Sequence, residues 1–315
     1  MPRTRPSAFA LAAIVTVATV VVTAGQEQRP TRRFSSPGLV TTAVFAPDGA
    51  TITSWDPGGW SSWDAASGNR KRREPVIAKT CERTSTLPRS AEGRVVAAQC
   101  KDRLFFFEAA TGRALGERQL AEKQTAAMYT ASADGTMTAI VMAGATNTVH
   151  VGGMAGPGTS LQVDAEIEHL SLSASGQRLT IGTIKGVEVR DLPAGNVLRT
   201  LQGRASHALS GDGRLVAVAT DRGANIFDVE SGQRLREVAG RVTLLRFSPD
   251  AKRLVGWTNQ QVIAWDTTTG AQQLVLKSDE FVDAAVSPDG TGLVTVSLDR
   301  RGDATSSILA VWKLP

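Results

Sequence analysis

The chain has 315 residues, of which 42% are hydrophobic and 21% charged, values that exclude a disordered polymer and a polytopic membrane protein. The formal net charge is +5, but one Tyr and 5% aromatic residues leave little for base stacking, so no nucleic-acid partner is expected. Thirty Gly and 13 Pro are spread along the chain, which points to many turns and few long helices.

The first 24 residues differ from the rest. Arg3 and Arg5 give a positive start, Ala8 to Val22 is apolar except for Thr16 and Thr19, and Val22-Thr23-Ala24 supplies small residues. Charge, apolar core and small cleavage residues together predict a secretory signal peptide over 1–24. The run is short for a span, which needs roughly 17–25 apolar residues. The expected location is therefore periplasmic or extracellular, with membrane contact only if this segment is retained as an anchor.

Beyond it the chain repeats. A short turn recurs as Ala46-Pro47-Asp48-Gly49, Ser90-Ala91-Glu92-Gly93, Ser132-Ala133-Asp134-Gly135, Ser173-Ala174-Ser175-Gly176, Ser210-Gly211-Asp212-Gly213, Ser248-Pro249-Asp250-Ala251 and Ser287-Pro288-Asp289-Gly290. Their last residues are 44, 42, 41, 37, 38 and 39 apart. Pro presets the first turn dihedral, Asp accepts hydrogen bonds from turn amides, and Gly takes the positive φ. Apolar runs flank each turn, as in Val242–Phe247 and Leu215–Ala219, and predict a hairpin. A third run ends in an aromatic-acid pair (Trp63-Asp64, Phe107-Glu108, Phe227-Asp228, Trp265-Asp266, with Arg190-Asp191 a weaker version). A glycine turn then leads to a fourth run such as Val197–Leu201. Four strands per repeat, seven times, predict an all-β, seven-bladed β-propeller over 37–315.

The seventh repeat stops at its third strand, Ile308–Trp312, whereas Thr31-Arg32-Arg33-Phe34 looks like the fourth strands elsewhere. Residues 25–36 are therefore expected to supply the closing N-terminal strand of the last blade, which removes two open edges. The two cysteines, Cys81 and Cys100, are the expected disulfide of an exported protein. They flank the turn at 90–93, where facing positions are expected to sum to about 183, and theirs sum to 181.

Over roughly residues 28–315 this layout resembles the WD-repeat (WD40) family. The Gly-His dipeptide that opens such repeats is absent, and blade three ends its third strand with Val151-Gly152-Gly153. The resemblance thus implies blades held more by packing than by the family's buried polar network.

No chemistry stands out. His150, His169 and His207 lie far from one another and from either cysteine, so no metal site is expected. There is no Gly-x-Ser-x-Gly elbow. Glu108–Arg113 and Asp266–Gly270 look like the docking motif of pyrroloquinoline quinone dehydrogenases, but the closing Trp is missing and seven blades replace the usual eight. They read better as turns between third and fourth strands, and no cofactor is expected. Arg70-Lys71-Arg72-Arg73, with Arg32 and Arg33, falls on outer strands, where charge discourages edge pairing. Arg301-Gly302-Asp303 is too short a match to carry meaning.

Loops between second and third strands share one face with the connections between blades. Trp and Arg dominate binding hot spots, so Trp60, Arg222 and Arg300 are the candidate binding residues, while Asp56, Asp102, Asp221 and Asp299 are expected to cap turns. The expected function is a non-catalytic scaffold for a protein or peptide. An enzyme working in the central channel and a structural part of an envelope assembly are the alternatives.

Overall fold

The described first turns are built from the side chains of their own repeats. Ser132, Ser210 and Ser248 donate through Oγ to Oδ1 of the Asp two residues on, at 2.7, 2.6 and 2.6 Å. The same hydroxyls accept the amides of Met137, Leu215 and Arg253 at 2.9, 2.9 and 3.0 Å, and so start the second strand in register. The second turn is made by the acid of the aromatic-acid pair. Asp64, Asp228 and Asp266 accept the amides of Ser67, Ser231 and Thr269 at 2.8, 2.7 and 2.8 Å.

The structure is a computed structural model that describes residues 29–75, 85–86, 93–154, 158–278, 280–300 and 306–315. The expected signal segment 1–24, residues 25–28 of the expected closing strand, Cys81 and Arg301-Gly302-Asp303 lie outside the described residues. First in the chain is β1 (Arg32–Pro37). Blade one is β2 (Thr42–Phe45), β3 (Thr51–Asp56), β4 (Gly59–Asp64) and β5 (Arg70–Pro75). Blade two is β6 (Ser85–Thr86), β7 (Val95–Cys100), β8 (Arg103–Glu108) and β9 (Ala114–Gln119). Blade three is β10 (Ala126–Ala131), β11 (Thr138–Met142), β12 (Thr148–Gly152) and β13 (Thr159–Gln162). Blade four is β14 (Ile167–Leu172), β15 (Arg178–Thr183), β16 (Gly186–Asp191) and β17 (Val197–Leu201). Blade five is β18 (His207–Leu209), β19 (Leu215–Ala219), β20 (Gly223–Asp228) and β21 (Arg234–Ala239). Blade six is β22 (Leu244–Phe247), β23 (Arg253–Trp257), β24 (Gln261–Asp266) and β25 (Gln272–Lys277). Blade seven is β26 (Phe281–Val286), β27 (Gly292–Asp299) and β28 (Ser306–Lys313), completed by β1. This is the seven-bladed propeller that the repeats predict.

Closure works as expected: β1 lies antiparallel to β28, with Phe34 opposite Leu309 and Ser35 opposite Ile308. The strand runs Arg32–Pro37, ending one residue beyond the sequence expectation, and Phe34 packs 5.1 Å from Trp63 of blade one. In blade two Ser85 faces Gln99 and Thr86 faces Ala98, so facing positions sum to 184 rather than 183. Cys100 ends β7 as half of a disulfide.

Second strands are buried on both faces because a blade is covered on each side, which explains their continuous apolar runs. Phe106 of blade two meets Tyr129 of blade three edge-on at 5.8 Å, and the Tyr129 hydroxyl accepts the Ala97 amide at 2.6 Å. Indole N–H groups pin blades together as well: Trp55 donates to the Ala109 carbonyl at 2.7 Å, Trp257 to Val282 at 3.2 Å and Trp265 to Ala239 at 3.0 Å.

Polar links between blades are present after all, of three kinds. Outer-strand arginines donate to second-turn carbonyls of the next blade: Arg32 to Ala66, Arg199 to Glu230, and Arg236 to Thr268. First turns join around the channel mouth, Ala133 N–H to the Ala174 carbonyl at 2.9 Å and Ala174 N–H to Gly211 at 2.8 Å. A proline, which has no N–H, could not make these bonds, so Ala in place of Pro in blades three and four is used by the fold. Finally, Asp283 on β26 ties three inner strands. Its Oδ2 accepts Thr42 Oγ1 at 2.6 Å and the Ala43 amide at 3.0 Å, while Oδ1 lies 3.1 Å from Arg246 Nη2.

Candidate functional site

The loops joining second to third strands are closed in blades four, five and six by a threonine hydroxyl. Thr183 Oγ1 accepts the Lys185 amide at 3.1 Å, Thr220 accepts those of Arg222 and Gly223 at 3.3 and 3.1 Å, and Thr258 those of Gln260 and Gln261 at 3.1 and 3.2 Å. Tight loops of this kind hold their tip residues outward. In blade four the tip is Ile184, 76% exposed and the most exposed large apolar residue described.

Ile184 forms one wall of a groove of about 420 Å3 across blades four to six. Its floor and far wall come from the blade connections: Gly203, Arg204, Ala205 and Ser206 between blades four and five, and Val242 and Thr243 between five and six. Ser206 Oγ donates to the Thr243 carbonyl at 2.6 Å and fixes the two connections together. Arg204 Nη1 stands 3.5 Å from Asp221 Oδ1, and Glu168 lies on the same rim. Beneath the floor, His207 donates from Nδ1 to the Ala205 carbonyl at 2.7 Å, and His169 Nδ1 lies 3.3 Å from the same nitrogen. A Cβ at Gly182 would stand 1.9 Å from the Ala205 oxygen, so only glycine lets the connection settle there.

The sequence candidates fare differently. Arg222 is exposed on this face, beside the Arg204–Asp221 pair. Arg300 is exposed in blade seven and forms an ion pair with Glu280 at 3.1 Å. Trp60 is a correction. It is the second residue of β4 rather than a loop residue, and it is half-buried. Its ring lies 6.2 Å from Trp55 and fills the space over Gly112 of blade two, where a Cβ would stand 2.2 Å from Cε2. With φ at 73°, Gly112 serves both its turn and this close approach. Trp60 therefore packs blades one and two together. Asp56 caps as expected, accepting the Gly58 amide at 2.8 Å, and also holds Arg73 at 2.6 and 2.8 Å. In blade five the cap is Thr220, and Asp221 serves the ion pair instead.

The basic run on β5 is engaged by its surroundings. Arg70 lies over Trp63, Lys71 meets Asp64 at 3.1 Å, and Arg72 meets Glu74 at 2.7 Å. Ile184 and Arg204 were missed in the sequence. The one available signal was a branched apolar residue at the tip of Gly182-Thr183-Ile184-Lys185-Gly186, where turn chemistry favours polar residues. Among the described residues no group of three or more His, Cys, Asp or Glu is placed to hold a metal ion, and no helix is long and apolar enough to cross a membrane.

No family model and no curated protein sequence matches the chain. Solved structures do: the chain is similar to the β-propeller domain of Cps50 (Swd1) from Myceliophteria thermophila, with a TM-score of 0.64 at 14% identity. That match covers 90% of this chain and 99% of the other, and at such identity the likeness is one of fold.

Proposed function

We propose that the protein is an exported, non-catalytic propeller scaffold that binds a protein or peptide across the groove of blades four to six. The observation that carries this reading is Ile184, a large apolar side chain held in water beside a groove. An apolar centre inside a polar rim is the anatomy of a contact site, and Ile184 stands on the wall of a groove rather than alone on a flat surface. Arg204, Arg222 and Glu168 supply the polar rim. Export rests on the N-terminal segment.

The test is a photo-reactive residue placed at Ile184, with Val197 as control, an outer-strand residue of the same blade that is 49% exposed. Treated envelope extract should give a discrete adduct from position 184 and none from 197. Ile184→Asp should then weaken capture of that partner by roughly 2 kcal/mol, the scale of a binding hot spot, with an unchanged melting temperature. Equal adducts from both positions, or capture indifferent to Ile184→Asp, would remove the site from this face.

A further inference from the structure

The outermost strands of blades seven and one carry an excess of positive charge that the other outer strands do not share. β1 holds a net charge of +2 through Arg32 and Arg33, and β5 holds +3 through Arg70, Lys71, Arg72, Arg73 and Glu74. The outer strands β9, β13, β17, β21 and β25 hold 0, 0, +1, +1 and +1. The chain's net charge of +5 includes +1 from Arg3, Arg5 and Glu27, so residues 29–315 hold +4. With +5 on β1 and β5, everything else in that stretch sums to −1. Protection of an open edge does not account for the excess, because β13 is an outer strand with no charge at all.

Contacts between the two blades make β1 and β5 one surface. Arg32 Nε donates to the Ala66 carbonyl in the turn before β5. Phe34 packs 5.1 Å from Trp63, and Arg70 lies over the same Trp63 ring at 5.8 Å. Arg29, Arg32, Arg33 and the four basic residues of β5 are all exposed. Lys71 and Arg72 remain 47% and 63% exposed in their ion pairs with Asp64 and Glu74, and exposed pairs of this kind are weak enough to exchange partners.

The sequence before β1 supplies an independent observation. Its apolar run, Ala8 to Val22, joins the fold at this edge, with Arg29 only seven positions after Val22, a reach of at most about 25 Å. Basic clusters next to an apolar segment attract anionic lipid, and the two attractions together hold where either alone is marginal.

We propose that the edge formed by β1 and β5 rests on the surface of an anionic phospholipid bilayer, its arginines and Lys71 holding lipid phosphates. Guanidinium groups match phosphate in shape and charge. Blade four stands across the ring from blades seven and one, so the groove of blades four to six stays clear of the bilayer. The inferred surface does not depend on that groove.

Co-sedimentation of the purified protein with vesicles tests it, comparing phosphatidylcholine alone with an equimolar mixture of phosphatidylcholine and phosphatidylglycerol. The apolar run adds the same affinity to both, so the ratio reports charge. Binding to the mixed vesicles exceeds binding to the neutral ones by on the order of 100-fold, since each basic residue near such a surface contributes about fivefold. The excess disappears in molar salt, which screens charges beyond about 3 Å. Arg33→Gln with Arg70→Gln lowers it about 25-fold. The same change on the outer strands of blades five and six, Arg234→Gln with Lys277→Gln, leaves it unaltered. Melting temperatures identify a damaged rim variant, in which case Arg33→Gln alone, with its loss of about fivefold, decides. Equal binding to the two vesicle types overturns the surface and leaves the rim to an acidic protein. An excess that survives molar salt, or an equal loss in the rim and control variants, overturns it as well.

Discussion

Single residues show where the repeat departs from its own pattern and what the departure costs. Ala251 takes the turn position that glycine holds elsewhere, with φ at 58°. The left-handed region costs an L-residue roughly 1–2 kcal/mol, and glycine forfeits about 0.5–1 kcal/mol of that in backbone entropy. Ala251→Gly is therefore expected to stabilise the protein by up to about 1 kcal/mol, measured by urea denaturation; a lower midpoint would mean the alanine methyl has packing value that outweighs the strain. Asp283 is the opposite case, an acid inside an apolar inner strand that is fully buried. Removing it strands Arg246 as a buried charge, a change worth about 3–5 kcal/mol. Asp283→Ala should melt far below the parent, whereas a loss under 1 kcal/mol would show that the network is dispensable. Nothing in Phe281-Val282-Asp283-Ala284 announced this pairing, because its partners lie 37 residues before it, in Arg246, and 241 residues before it, in Thr42.

At the scale of turns and strands, hydrogen bonding and electrostatics act together. The Ser67 amide, Lys71 and the Ser67 hydroxyl hold the Asp64 carboxyl down at about 2. Asp134, Asp228, Asp266 and Asp289 are lowered for related reasons, turn amides and hydroxyls binding their charged forms. Each carboxylate has a folded pKa below its unfolded one, so its contribution is present above about pH 4 and is lost as pH falls toward 2. The melting temperature should drop between about pH 4 and 2, after a smaller decline as pH falls below the usual imidazole value, because burial and then Arg118 lower the pKa of His150. Asp64→Asn should make that drop shallower, and an unchanged acid limb would show that the turns do not govern it. These acids were legible in the sequence because a turn is local: donor and acceptor lie within five residues of each other. The arginine clamps at 199 and 236 were not, since their acceptors lie 31 and 32 positions away in the neighbouring blade.

For the whole molecule the decisive feature is the ring. Residues from both ends of the described chain meet in blade seven through β1 and β28. Deleting residues 29–37 would leave β28 as an open edge and remove Phe34 from its contact with Trp63. The expected result is a melting temperature lower by on the order of 10 °C, with self-association in sedimentation, since an open strand edge recruits other chains. A truncated chain that stays monomeric and melts with the parent would mean that the remaining three strands of the blade suffice.

The blade count, the strand order and the closure follow from the sequence alone, because turn chemistry and period-two burial are read within a few residues and repeat seven times. The groove across blades four to six does not, because it is lined by residues from several blades, brought together only when the ring closes. Trp60 shows the limit most clearly: its residue type suits a binding surface, but whether it faces water was decided by Gly112, 52 positions further along, whose missing side chain leaves room for the ring.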